Sequence, residues 1–225
     1  AGADHTAADA IATLLGKWRR FWGHSPIQIL SRKEQIGLLA ELWFLSRWLI
    51  PKVGLVDAVK GWRGPFGSRH DFERKHESIE VKATMCVEGL VHRVNGIDQL
   101  APPENGALYL FSLKLREDAN ATHSLPQIIC NCRDLCKDSS DALSHLENAL
   151  AMLCYLDVHE PEYAKFKCRI VSEILFSVRD DFPRLTTSDI KSGIPSGVEN
   201  IGYDIDLKVA RHLQVADSPD VYFHI

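Results

Sequence analysis

Apolar residues fall into helical spacing twice near the start of the chain. Ile11, Leu14, Leu15, Trp18 and Phe21 or Trp22 recur three or four residues apart, which predicts a helix over residues 9–22, broken by Gly23, Ser25 and Pro26. Ser31 with Glu34 three residues later forms a capping box, so a second helix is expected from Arg32 to about Ile50, with Pro51 ending it. Ile36, Leu38, Leu39, Leu42, Trp43, Phe44, Leu45 and Trp48 leave that helix apolar on several faces, as in a helix that is largely buried.

Beyond it the spacing shortens. Residues 55–60 read as a short strand, and residues 61–69 as a glycine-rich loop that lacks the Lys-Ser/Thr ending of a phosphate loop. Residues 70–74 and 78–84 read as the two strands of a hairpin around the polar turn Lys75, His76, Glu77. Residues 89–94 form a further strand, and the alternating stretch 107–115 another. Helices are expected over 125–137 and 140–153, then a β-rich segment over 163–178 and a last short strand over 203–209. The pattern implies an α/β fold: a mixed, mostly antiparallel central sheet of four or five strands flanked by helices, with additional C-terminal helices and strands. Residues 1–30 are expected to be a helical N-terminal segment, 31–160 the core, and 161–225 a β-rich extension packed on it.

Composition narrows the class. With 45% hydrophobic and 25% charged residues the chain carries enough apolar material for a core, which excludes disorder. No apolar run reaches membrane-spanning length, since residues 38–50 are interrupted by Glu41, Ser46 and Arg47. Residues 1–12 lack the basic and apolar regions of a signal peptide, so a cytoplasmic protein without a membrane partner is expected. The net charge of −4 argues against a module that coats DNA nonspecifically and requires any basic patch to be local. Cys130, Cys132 and Cys136 lack zinc-site spacing, and the six cysteines are read as small buried hydrophobes.

The candidate chemistry lies between positions 71 and 82. Along the strand 78–84, Ile79, Val81 and Ala83 point one way and Glu80, Lys82 and Thr84 the other. Asp71, on the preceding strand, can reach the same end of the sheet. Converging carboxylates repel unless a cation joins them, and hard oxygen ligands suit Mg²⁺ or Mn²⁺. Such an ion on a phosphate polarises it and lowers the pKa of a bound water, while Lys82 can position or deprotonate that water and offset charge on the phosphorane. The competing reading is a surface hairpin with solvated charges and a cross-strand ion pair.

Glu41, flanked by Ala40 and Leu42, is costly at a buried position unless paired or cation-bound. Glu34 lies seven residues earlier on the same face, and both could instead face solvent, or Glu41 could pair with an arginine. Arg63, Arg69, Arg74 and Lys75 are candidates for phosphate contacts, with solvated loop charges as the alternative. His70, beside Asp71, is placed at the site, and His76 and His92 at the surface. The tryptophans are read as core, except that Trp62, in the loop, could stack on a base.

Asp71 followed by Glu80-x-Lys82 resembles the signature of the PD-(D/E)XK nuclease superfamily. More narrowly, Gly-Leu-Leu-Ala-Glu-Leu-Trp-Phe-Leu (37–45), Gly-Trp-Arg-Gly-Pro (61–65), His-Asp-Phe (70–72) and Ile-Glu-Val-Lys-Ala-Thr (79–84) resemble the PD-(D/E)XK proteins of prokaryotic phage-defence gene clusters, which often lie beside helicases and DNA methyltransferases. The resemblance covers residues 30 to 115 well and the rest loosely, and His70 stands where the signature has proline. It implies a restriction-endonuclease-like core and a Mg²⁺- or Mn²⁺-dependent DNA endonuclease of a restriction or phage-defence system, with DNA expected over RNA. By resemblance, Asp71, Glu80 and the Val81 carbonyl hold the metal, Glu41 adds an acidic group from the first core helix, Lys82 handles the attacking water and Gln99 orients it or the phosphate. Arg63, Arg69, His70, Arg74 and Lys75 would contact the nucleic acid. A homodimer, and helicase or methyltransferase partners, are further expectations. The rival from another class is a non-catalytic nucleic-acid-binding or scaffold subunit that keeps the fold.

Overall fold

The computed structural model describes residues 29–191, 193–198 and 200–222. The helix expected over residues 9–22, with Trp18 and Trp22, lies outside them.

Helix α1 spans Arg32–Phe44 and starts as its capping box dictates: the Glu34 amide donates to Ser31 Oγ at 3.3 Å, and the Ser31 amide to Glu34 Oε2 at 2.7 Å. Glu34 is thereby committed to the helix start. Pro51 does not stop the helix. A π-turn over Leu45–Leu49 shifts the hydrogen bonding, with the Ile50 amide reaching back to the Leu45 carbonyl, and Pro51 falls in the first turn of a new α segment, α2 (Ile50–Val53), where its missing N–H is tolerated. Gly54, at φ 87°, ends α2 in a conformation that L side chains rarely adopt.

Leu55–Gly61 is a helix, α3, and not the strand expected for 55–60. The valines favour a strand, but Leu55, Ala58 and Val59 are spaced for one helical face, and Ala58 and Val59 are fully buried. Tertiary burial overrides local propensity here.

The hairpin forms as expected from β1 (Phe72–Glu73) and β2 (Glu77–Thr84), antiparallel with Phe72 opposite Ile79. β4 (Ala107–Glu117) then runs parallel to β2, with Glu80 beside Leu110 and Lys82 beside Ser112. β5 (Cys168–Ser177) pairs antiparallel with β4, and β7 (Gln214–Ala216) with β5, which completes a five-stranded mixed sheet in the order β1-β2-β4-β5-β7. β5 and β7, both after residue 161, are thus strands of the central sheet. β3 (Val91–Val94) pairs instead with β6 (Tyr203–Asp206) in a separate two-stranded sheet.

Alternation along β4 sorts the core into two layers. Phe111, Leu113 and Leu115 pack on one face with α1, α4 (Leu125–Cys136) and α5 (Ser140–Met152). Leu108 and Leu110 pack on the other with Val94 of β3 and Ile205 of β6. The Phe44 ring lies 4.8 Å from Phe111, and Trp48 lies 5.0 Å from it, so the end of α1 and the π-turn after it are fixed to the sheet by aromatic contacts. Cys132, Cys136 and Cys168 are buried as small hydrophobes, whereas Cys86 and Cys130 are exposed. Among the described residues no helix is long and apolar enough to cross a membrane.

Candidate active site

β1 is only two residues long, so β2 loses its antiparallel neighbour after Ile79. The edge of β2 at Val81 would carry an unpaired amide, and Asp71 supplies the missing acceptor: the Val81 N–H donates to Asp71 Oδ2 at 2.7 Å. The N–H and C=O of one strand residue face the same edge, so the Val81 carbonyl is turned toward this side as well.

The glycine-rich loop locks Asp71 from behind. The Arg63 and Gly64 amides donate to the Asp71 carbonyl at 2.8 and 2.9 Å, and Trp62 forms an isolated bridge with Phe72. Gly64 sits so close that a Cβ there would come within 2.9 Å of Asp71 Oδ1.

Glu80 and Lys82 leave β2 on the same face, as period two requires. Lys82 Nζ lies 2.7 Å from Glu80 Oε1 and donates to Gln99 Oε1 at 3.1 Å. The same Gln99 oxygen accepts the Asn95 amide at 2.8 Å, which leaves the Gln99 NH₂ as its remaining polar group. Glu80 is 2% exposed, and its second oxygen, Oε2, is buried with no hydrogen-bond partner.

Glu41 comes from α1 and faces these groups. Among the described residues it pairs with no arginine, and it does not point away with Glu34; the Trp62 indole N–H donates to Glu41 Oε2 at 2.7 Å. Trp62 is fully buried, so it is not free to stack on a base.

The electrostatics follow from the crowding. Burial pushes the Glu41 carboxyl well above its usual range, and the charges of Asp71 and Glu80 push it further, against the Trp62 hydrogen bond. Burial, then the Asp71 charge, raises Glu80 to about 8 despite Lys82. Burial also raises Asp71, to about 6, against the Val81 amide and Lys82. The three carboxylates therefore share one low-dielectric place and resist holding three charges at once.

They line a cleft of about 570 Å³ together with Lys82 and Gln99. The cations on its wall are Arg32, Lys33 and Arg93. Arg63, Arg69, Arg74 and Lys75 are not among its lining residues: Arg63 lies over the Phe66 ring, Arg74 pairs with Glu77, and Arg69 and Lys75 are exposed. His70 does not line the cleft either: it is buried, its Nε2 has no hydrogen-bond partner among the described residues, and burial lowers its pKa. His92, expected at the surface, is 1% exposed and bonds Ser112 Oγ at 2.7 Å.

A family model described as "Putative PD-(D/E)XK family member" (DUF4420) matches residues 1–208. The chain belongs to the PD-(D/E)XK family. No curated protein and no solved structure matches it. The mixed sheet flanked by helices is the restriction-endonuclease-like arrangement, and in this PD-(D/E)XK protein the Asp71 and Glu80-x-Lys82 elements fall at one sheet edge.

The donor set fits a hard divalent cation. An orphaned buried carboxylate oxygen on Glu80, two further carboxylates whose like charges repel, and a carbonyl-bearing open strand edge are what such an ion relieves. Sequence reasoning missed Trp62 as the partner of Glu41, and the cations Lys33 and Arg93. The signal for Lys33 was its spacing: Lys33, Gly37 and Glu41 are four residues apart and share one helix face.

Proposed function

We propose that this chain is a metal-dependent phosphodiesterase, a DNA endonuclease of a restriction or phage-defence system working in the cytoplasm, alone or as a homodimer and beside helicase or methyltransferase partners. The observation that carries the reading is the convergence of Glu41, Asp71 and Glu80 on one cleft with Lys82 among them.

Asp71, Glu80 and the Val81 carbonyl would hold Mg²⁺ or Mn²⁺, with Glu41 behind them, and the ion would polarise the scissile phosphate and lower the pKa of a bound water. Lys82, kept in place by Glu80 and Gln99, has a donor left for the attacking water and offsets charge building on the phosphorane. The Gln99 oxygen is occupied by Lys82 and Asn95, so its role falls to the NH₂ group, which suits a phosphate oxygen better than a water proton. Trp62 and Gly64 hold Glu41 and Asp71 in place.

The alternative is a non-catalytic nucleic-acid-binding or scaffold subunit. What favours it is that Glu80 is tied to Lys82 and Asp71 to the Val81 amide, and among the described residues no three potential ligands form a ready cluster. A plasmid-cleavage assay with Mg²⁺ or Mn²⁺ decides between them, run on wild type, Lys82→Ala and Asp71→Ala, with an RNA substrate in parallel. Cleavage lost in both variants, by about 10²-fold or more, supports the enzyme. Equal behaviour of all three proteins removes it.

A further inference from the structure

Besides α1 and β2, the cleft is lined from β3, which among the described residues pairs with β6, more than a hundred residues later in the chain. Arg93 of β3 lines the cleft, and its guanidinium is seated. It lies opposite Asp204 in the β3–β6 register, and its Nη1 donates to Asp204 Oδ1 at 3.3 Å. It also rests against Gly202, where a Cβ would stand 2.5 Å from Nη2 and 3.0 Å from Cζ. A residue without a side chain leaves that seat open.

Across the cleft, Lys33, Gly37 and Glu41 form one stripe of α1. A Cβ at Gly37 would meet nothing within 4 Å, so no packing contact requires glycine there, although glycine weakens a helix interior. Its absence of a side chain leaves a gap between the Lys33 cation and the Glu41 carboxylate. β3 is also joined to the chemistry, since Asn95, just after it, donates to the Gln99 oxygen that receives Lys82.

We propose that Arg93 and Lys33 form a phosphate subsite that grips a non-scissile phosphate of the substrate strand, with Gly202 as the seat of Arg93 and Gly37 as the clearance for the strand. This rests on the nuclease reading. A guanidinium offers donors in a rigid fork suited to phosphate oxygens, and Asp204 engages only one of its nitrogens. With a net charge of −4, such contacts have to be local, and these cations lie on the cleft wall itself.

The test is fluorescence anisotropy with a labelled single-stranded oligodeoxynucleotide in Ca²⁺ across a salt series, the strand being checked for intactness afterwards. Arg93→Ala and Gly202→Ala each lower affinity about tenfold and reduce the slope of log K against log salt by about 0.7. Gly202→Ala leaves every charge in the protein, so a smaller slope there reports the displaced guanidinium. Arg93→Lys keeps the slope and part of the affinity, and Gly37→Leu weakens binding with the slope intact. If wild type binds and both the Arg93→Ala and Gly202→Ala slopes match it, the subsite is wrong while the nuclease reading stands. If wild type binds no oligonucleotide, the subsite is wrong, and plasmid cleavage still decides the nuclease reading by itself.

Discussion

Trp62 donates its indole N–H to Glu41 at 2.7 Å, so the residue that opens the glycine-rich loop holds the acidic group of α1. Both ends of this bond are tied to the site: Trp62 is bridged to Phe72, next to Asp71, and Glu41 faces Asp71 and Glu80. Trp62→Phe keeps the buried ring and removes the donor. It is expected to cost about 1 kcal/mol of stability, since a half-buried carboxylate loses its partner, and to raise the divalent-ion concentration needed for activity. Thermal unfolding and a Mg²⁺ titration check this; wild-type values in both would dismiss the link.

Gly64→Ala leaves every carboxylate present but brings a Cβ within 2.9 Å of Asp71 Oδ1 and 3.2 Å of its Cα. The Asp71 backbone, held by the Arg63 and Gly64 amides, has little room to give. Cleavage is expected to fall nearly as far as in Asp71→Ala, with a stability loss of about 1–3 kcal/mol. A folded variant that cleaves at the wild-type rate would show that the contact relaxes freely.

Glu80 makes the metal-free protein weaker as pH rises. Its carboxyl titrates near 4.5 when free of the fold and at about 8 within it, so the folded state binds the proton more tightly. The stability gained from that proton is complete below pH 4.5 and is lost as pH climbs toward 8, by on the order of a few kcal/mol. Between pH 5 and pH 9 in EDTA, wild type should therefore lose more thermal stability than Glu80→Gln. Mg²⁺ should stabilise wild type more at high pH than at low pH, because metal and proton compete for the same oxygens. A wild-type curve parallel to that of Glu80→Gln would mean that Glu80 is not under this strain.

His92 acts in the opposite direction. Burial, chiefly, lowers it from 6.5 to about 4, so the unfolded chain binds the proton first. Its contribution is present above pH 6.5 and is lost as pH falls toward 4, by on the order of 3 kcal/mol. Urea midpoints at neutral and acidic pH should separate wild type, which weakens, from His92→Gln, which weakens less. Equal slopes would remove the assignment.

The candidate site was largely legible in the sequence because its parts are local. Period two alone puts Glu80 and Lys82 on one face of β2, and the polar turn at 75–77 brings Asp71 back beside them. The capping box at Ser31 and Glu34 likewise gave the start of α1 to the residue. Legibility failed where a local preference met a remote partner. Valines at 56 and 59 favour a strand, yet burial of Ala58 and Val59 makes α3 a helix. Pro51 signals a stop, yet a π-turn carries the chain past it.

What the sequence determined by itself, then, was the alternation of strands and helices and the short-range set Asp71, Glu80 and Lys82, since hydrogen bonding and side-chain direction within one element depend on neighbours a few residues away. Only the tertiary structure decided that Trp62 reaches back to Glu41, that β3 leaves the main sheet for β6, and that Lys33 and Arg93, rather than the loop arginines, line the cleft. Such contacts join residues far apart in the chain, 111 positions between Arg93 and Asp204. Burial and charge at such distances are set by how the layers pack, which no local pattern encodes.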